Sequence, residues 1–277
     1  MILVTGATGN AGAEVLAAAL GRGLPVRAGT RSGAHPDAPG VRLDLADPTT
    51  WDAALAGVRG VFLMLPPGLP PARTIVPFVA RVRAGGAGPV VFMSVQGAEG
   101  SRVLPHATVE RALIAGPRDW TILRPGFFAQ NLGDAYLRDI RDDDRLFVPA
   151  GRGAVAWLDL ADLGAVAAGI LADPEPHLGR GYALAGDRSE TFADAARHLT
   201  HALGREVRYE AASAWGYLAH LGRRGVPPFA RLVLLRLHLG LRWGEGDRPT
   251  PDLERLLGCA PRTLNDYVRD HVTLWRR

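Results

Sequence analysis

Val4–Gly12 reads VTGATGNAG, and this stretch decides the fold. Gly6, Gly9 and Gly12 recur at every third position, between the apolar run MILVT and a segment with helical spacing. The first glycine permits a tight turn, the second lets backbone approach a pyrophosphate, and the third lets a helix pack close to a sheet. A pyrophosphate in such a turn rests on the unpaired amides of the helix N-terminus. The motif therefore predicts a dinucleotide site built from Gly6, Thr8, Gly9, Asn10, Ala11 and Gly12.

Outward from this turn, the first half of the chain alternates. MILVT, PVRAGT, GVRLD, GVFLML, PVVFMS and DWTILRP read as strands. NAGAEVLAAALGRG, TTWDAALAG and ARTIVPFVARVRAGG, lying between them, have helical spacing. Such alternation predicts a Rossmann-type, doubly wound parallel sheet with helices on both faces, an α/β fold. Past residue 150 the pattern loosens. WLDLADLGAVAAGILAD reads as a helix entered through Asp159 or Asp162, GRGYALAG as a short strand, and TFADAARHLTHALG as a helix with a glycine stop. Residues 212–275 read as mostly helical. The expected organisation is a dinucleotide-binding domain over residues 1–150 and a smaller, mostly helical substrate cap over residues 151–277. Some late elements return to the first layer.

The second strand selects the dinucleotide. A carboxylate at its end would hold the ribose 2′-hydroxyl of NAD. Here Thr30 is followed by Arg31 and Ser32, with no acid until Asp37. A guanidinium and a hydroxyl suit a 2′-phosphate, so the expected cofactor is NADP(H). Asp44, closing the third strand with Leu45 beside it, meets the adenine or caps the next turn with Asp47; both readings stand. The segment LMLPPGLPP, with Leu65 and Pro66, is expected over the cofactor ribose.

Composition narrows the remaining classes. A chain of 277 residues with 47% hydrophobic content can bury a sizeable core. The net charge of +4 does not mark a nucleic-acid binder, because the basic residues are all arginines and lie scattered beside acids. Arg231, Arg236 and Arg242 interrupt the most apolar late stretch, so no membrane span is expected. The single cysteine, Cys259, excludes an intrachain disulfide and a cysteine metal site, and no histidine spacing points to a metal. With no signal-peptide pattern at the start, a cytoplasmic protein is expected.

Taken together, VTGATGNAG, AGTRS, VRLDLADPTTWDAALAGVRGVFLMLPP, VVFMSVQGAE, HATVERALIAGPRDWTILRPGFFAQNL and the closing GCAPRTLNDYV resemble the NmrA-like branch of the atypical short-chain dehydrogenases/reductases. The similarity extends over nearly the whole chain and is nearest to the group with triphenylmethane and quinone reductases. It implies a Rossmann fold, NADP(H), and a substrate cleft between the sheet's C-terminal edge and the cap. The branch holds both reductases and redox-sensing regulators.

The wider superfamily carries Tyr-x-x-x-Lys where this chain has LPHATVERAL, Leu104–Leu113. The chain has no lysine, and its five tyrosines lie elsewhere. His106 and Glu110, four apart, share a helix face. A carboxylate there raises the histidine's pKa from its ordinary ~6.5 and poises it as a general acid. Glu110 alternatively accepts from the ribose hydroxyls, or pairs with Arg111 or Arg102, and His106 alternatively caps the helix. Ser94 matches the family's serine at the cofactor's edge and, with Gln96, faces a substrate oxygen or forms a turn. After the sixth strand, Pro125 and Gly126 turn the chain under the nicotinamide. Phe127 and Phe128 supply apolar wall, and Gln130 and Asn131 amide donors. Trp215, Tyr217, His220, Phe229 and Trp243 add aromatic surface suited to a small, flat, aromatic or polycyclic substrate. The expected activity is NADPH-dependent reduction of a carbonyl, quinone or similar electron-poor compound by direct hydride transfer. The alternatives are a non-catalytic NADP(H) sensor and a cofactor-bound enzyme without net redox change.

Overall fold

The computed structural model describes residues 1–277. The first part of the chain runs β1 (Ile2–Thr5), α1 (Asn10–Gly21), β2 (Val26–Thr30), β3 (Gly40–Arg42), α2 (Trp51–Leu55) and β4 (Val61–Met64). It continues through α3 (Ile75–Ala84), β5 (Val90–Met93), α4 (Pro105–Ile114) and β6 (Trp120–Pro125). Then follow α5 (Leu137–Asp143), β7 (Arg145–Val148), β8 (Ala154–Val155), α6 (Leu160–Ala172) and β9 (Arg180–Leu184). The last elements are β10 (Glu190–Thr191), α7 (Phe192–Leu203), β11 (Arg208–Ala211), α8 (Ala214–Arg223), α9 (Pro228–Arg242), α10 (Asp252–Leu257) and α11 (Leu264–Asp270).

Packing divides these elements into two compact units. Unit 1 comprises Met1–Pro125, Leu160–Leu184 and Arg255–Gly258. Its centre is a seven-stranded sheet in the order β3-β2-β1-β4-β5-β6-β9, in which every neighbouring pair is parallel. Strands covered by helices on both faces must be apolar throughout rather than alternating. Accordingly Leu3, Val61, Leu63, Val90, Phe92 and Ile122 are fully buried. Helix α6 reaches α1 closely because Gly164 has no side chain: a Cβ there would lie 2.6 Å from the Glu14 carbonyl oxygen.

Unit 2 comprises Gly126–Asp159, Ala185–Glu254 and Cys259–Arg277. It holds two small sheets, β7 parallel to β11 and β8 antiparallel to β10, among its helices. Its core gathers aromatic side chains, including Phe127, Trp157, Phe192, Tyr267 and Trp275. Helix α7 starts at a capping box formed by Thr191 and Asp194 and stops at Gly204, which has φ +65°.

The division is not a single cut near residue 150. Residues 126–150 pack in unit 2, because Phe127, Leu132, Tyr136, Ile140, Leu146 and Val148 belong to its core. No helix is long and apolar enough to cross a membrane.

Candidate active site

The glycine turn opens a groove of about 520 Å³ in unit 1. Gly6 has φ +63°, a left-handed conformation, and a Cβ there would lie 2.2 Å from the Met64 sulfur. Thr5 Oγ1 accepts the Met64 amide at 3.1 Å, tying β1 to β4 beside the turn. Gly9 is the N-cap of α1 with extended backbone, and no side chain caps this helix. The first-turn amides, including those of Asn10, Ala11 and Gly12, therefore keep the anion-binding character of an open helix start. A Cβ on Gly12 would lie 2.2 Å from the Gly6 carbonyl oxygen, whereas one on Gly9 would keep 3.4 Å from it. Gly12 serves the packing of α1 on its own turn, and Gly9 borders open space in the groove.

Thr8, Arg31, Asp44, Leu45 and Pro66 line the same groove. Arg31 is exposed, and its guanidinium has no hydrogen bond or ion pair. Ser32 is exposed and held locally, its hydroxyl 3.3 Å from Thr30 Oγ1. Asp44 Oδ1 accepts the Ala46 amide at 2.9 Å. Asp47 performs the separate capping, accepting from the Thr49 amide. One Asp44 oxygen therefore holds its own turn while the residue still lines the groove. Leu65 lies in the unit 1 core rather than on the groove.

Around α4 the structure revises the expected chemistry. Glu110 is 2% exposed and touches neither Arg111 nor Arg102. Its carboxylate accepts the Ser94 hydroxyl at 2.5 Å and three hydrogen bonds from Arg124, the shortest at 2.7 Å. Ser94 is fully buried, so its proton is committed to Glu110 and not to a substrate oxygen. Arg124, on β6, also faces Glu99 at 3.4 Å. Burial opposes its charge, and the two carboxylates outweigh that and raise its pKa. Gly181 on β9 leaves room for this guanidinium, since a Cβ there would lie 2.5 Å from Arg124 Nη1. The carboxylate is therefore occupied and cannot serve ribose hydroxyls.

His106 is half-buried, makes no hydrogen bond and packs near the Phe92 ring at 6.3 Å. Burial lowers its pKa, and the attraction of Glu110 only partly opposes this. The expected upward shift fails because burial outweighs the attraction of Glu110. A lowered pKa favours the neutral imidazole, the opposite of the expected rise. Gln96 is half-buried, and its backbone amide donates to the Pro125 carbonyl at 3.1 Å. Pro125 is buried at the end of β6.

The remaining predicted site residues lie in unit 2. Phe127 is core, edge-on to Trp157 at 5.2 Å. Phe128 is half-buried and bridges to Leu158. Gln130 Nε2 donates to Asp159 Oδ1 at 2.7 Å, so this amide has a partner within its own unit. Trp215 is 82% exposed and is not part of the unit 2 cavity that Tyr217 and His220 line. Asn131 and Phe127 border a second, more enclosed cavity, in unit 2. Arg124 was overlooked in the sequence, although a charge within the otherwise apolar WTILRP is a signal that it has a buried partner. No group of three or more His, Cys, Asp or Glu side chains is arranged to hold a metal ion.

The sequence model of the NmrA-like family matches residues 1–228. This chain belongs to that family. An uncharacterised oxidoreductase of Bacillus subtilis is 29% identical to this NmrA-like chain over 280 residues, covering 99% of it and 96% of the relative. An NAD(P)H azoreductase of Xenophilus azovorans is 33% identical over 226 residues, 76% of this chain and 77% of the relative. The solved structure of Citrobacter sp. triphenylmethane reductase complexed with NADP(H) shares the fold, with a TM-score of 0.84 at 24% identity. That match covers 98% of this chain and 99% of the other. The two sequence relatives named here are an oxidoreductase and an azoreductase, and the NmrA-like chain shares its fold with the triphenylmethane reductase.

Proposed function

We propose that this NmrA-like chain is an NADP(H)-dependent reductase of a carbonyl, quinone or similar electron-poor organic compound. The observation that carries the reading is the groove of unit 1. It joins an open helix N-terminus to an exposed guanidinium with no partner in the protein. Gly9 and the first amides of α1 would receive the pyrophosphate, and Arg31 the 2′-phosphate, with Asp44 and Leu45 toward the adenine. When bound, NADPH supplies the hydride. The oxidoreductase relatives support the reaction class, and the activities named for two of them, on azo compounds and triphenylmethane dyes, support a small organic substrate.

The test is to incubate the protein with NADPH and a panel of ketones, quinones, azo compounds and triarylmethane dyes, following the nicotinamide absorbance. Oxidation that requires both protein and substrate is the expected result. Charge-assisted hydrogen bonds contribute roughly 1.5–3 kcal/mol, so Arg31→Ala should weaken NADPH binding about tenfold or more and leave NADH nearly unchanged. Tight binding of both redox forms with no turnover across the panel would overturn the reading in favour of a sensor. The locked Ser94–Glu110–Arg124 group is the observation on that side, since it leaves no side-chain acid at the former Tyr-Lys position.

A further inference from the structure

Unit 2 encloses a cavity of about 330 Å³ walled by Phe127, Phe147, Leu221 and Leu234. Three buried polar side chains, Tyr136, Tyr217 and His238, also line it; none is more than 5% exposed. Their hydrogen bonds assign the protons. His238 Nδ1 lies 2.7 Å from the Leu234 carbonyl oxygen, which can only accept, so Nδ1 carries the ring proton. Nε2 is then an acceptor and takes the Tyr136 hydroxyl at 2.5 Å. Burial pushes the His238 pKa down to about 4, so this neutral tautomer is the form present at neutral pH. Tyr217 Oη, 3.3 Å from the same Nδ1, faces a protonated nitrogen and can only accept from it. Its own proton is left without an acceptor in the protein, and burial raises its pKa, which keeps that proton in place.

We propose that this cavity binds a small aromatic carbonyl compound of one or two rings, whose oxygen accepts the Tyr217 hydroxyl. A buried donor without an acceptor selects a ligand that brings one. The aromatic and aliphatic walls select a ring. The charged groups at the cavity balance: Asp139 is held by His220 at 2.8 Å and by Arg224 at 2.6 Å, and the other two lining charges, Asp134 and Arg138, are of opposite sign, so no net charge is left for an ionic ligand. The volume lies at the low end of the roughly 300–1,000 Å³ of small-molecule sites, which disfavours large polycyclic compounds. As a statement of substrate class this rests on the proposed reductase activity; as a statement of binding it does not.

The probe is 1-tetralone, compared with tetralin, the same ring system without the carbonyl. A ketone is used because the exposed Cys259 thiol would add to a quinone. Equilibrium dialysis of the full chain should show Tyr217→Phe losing about three- to tenfold affinity for 1-tetralone, with tetralin unchanged. Leu237→Trp, which fills the cavity from its partly exposed rim, should abolish binding of both. Circular dichroism melts confirm that each variant is folded. Unchanged 1-tetralone affinity in Tyr217→Phe, equal losses for both ligands, or normal binding to Leu237→Trp would each overturn the assignment. If the predicted binding pattern holds but carbonyl compounds give no NADPH oxidation, the reductase reading fails and the binding site stands.

Discussion

Glu110 and Arg124 hold opposite charges largely out of water, with side chains 3% and 15% exposed. Taking ions from water is costly unless each finds its counterion and its remaining hydrogen bonds, and here Ser94 and Glu99 complete the set. Removing either partner alone should therefore hurt more than removing both. Glu110→Leu and Arg124→Leu should each destabilise the protein by about 3 kcal/mol, the low end for a broken buried pair because the ion left behind keeps one partner, Glu99 for the arginine and Ser94 for the glutamate. The double variant should be clearly more stable than the sum of the singles requires. Urea denaturation of all four proteins measures this; strict additivity would show that the two residues are not coupled. At this scale the glycine turn was legible because its demands are local. The partner of Glu110 was not, because it sits on another element, nor was the burial that lowers the His106 pKa against the pull of Glu110.

At the scale of elements, α1 begins at a turn whose two later glycines do different work. Gly12→Ala puts a methyl against the Gly6 carbonyl, and forcing α1 away should cost about 1–3 kcal/mol in the absence of any ligand. Gly9→Ala has room in the protein alone, so its stability should change by no more than about 0.5 kcal/mol. Its methyl would occupy the space expected for the pyrophosphate, and NADPH affinity should fall steeply. Thermal melts with and without NADPH separate the two; a Gly9→Ala protein that binds NADPH normally would show that the groove is used differently. The six predicted strands of the first half are all present, because buried parallel strands declare themselves as apolar runs. The pairing of β7 with β11 was not read. RLFV and RYEA are short, carry charges, and pair across more than one intervening helix.

For the molecule as a whole, the buried histidines set the response to acid. His238 has a folded pKa of about 4, below the ordinary unfolded value of ~6.5, because burial disfavours its charge. The unfolded chain then binds the extra proton first. The stabilisation is present above about pH 6.5 and is lost as pH falls toward 4, amounting to about 3 kcal/mol for a shift of this size. His106 and His177 are also lowered by burial and add to the loss in the same direction. Denaturant titrations between pH 7.5 and 4 should show a steep fall for the native protein and a shallower one for His238→Leu. Parallel slopes would place the acid sensitivity elsewhere. The division into units was legible only in part. The helical character of the late segments shows in their periodicity, but which layer each joins is decided by close approaches such as Gly164 against Glu14, which have no sequence period.

The outermost strand of the large sheet has a consequence for synthesis. β9 lies beside β6 in parallel, yet residues 126–179 separate them in the chain. A ribosome releasing the protein from its N-terminus exposes β6 as an open edge until Leu184 has emerged. Translation proceeds at roughly 5–20 residues per second, so that edge stays unpaired for several seconds in every nascent copy. An unpaired edge of apolar strands is a template for pairing with another chain. The order in which the polypeptide is made thus opens an interval in which a chaperone, or a neighbouring nascent chain, can reach β6 before β9 does.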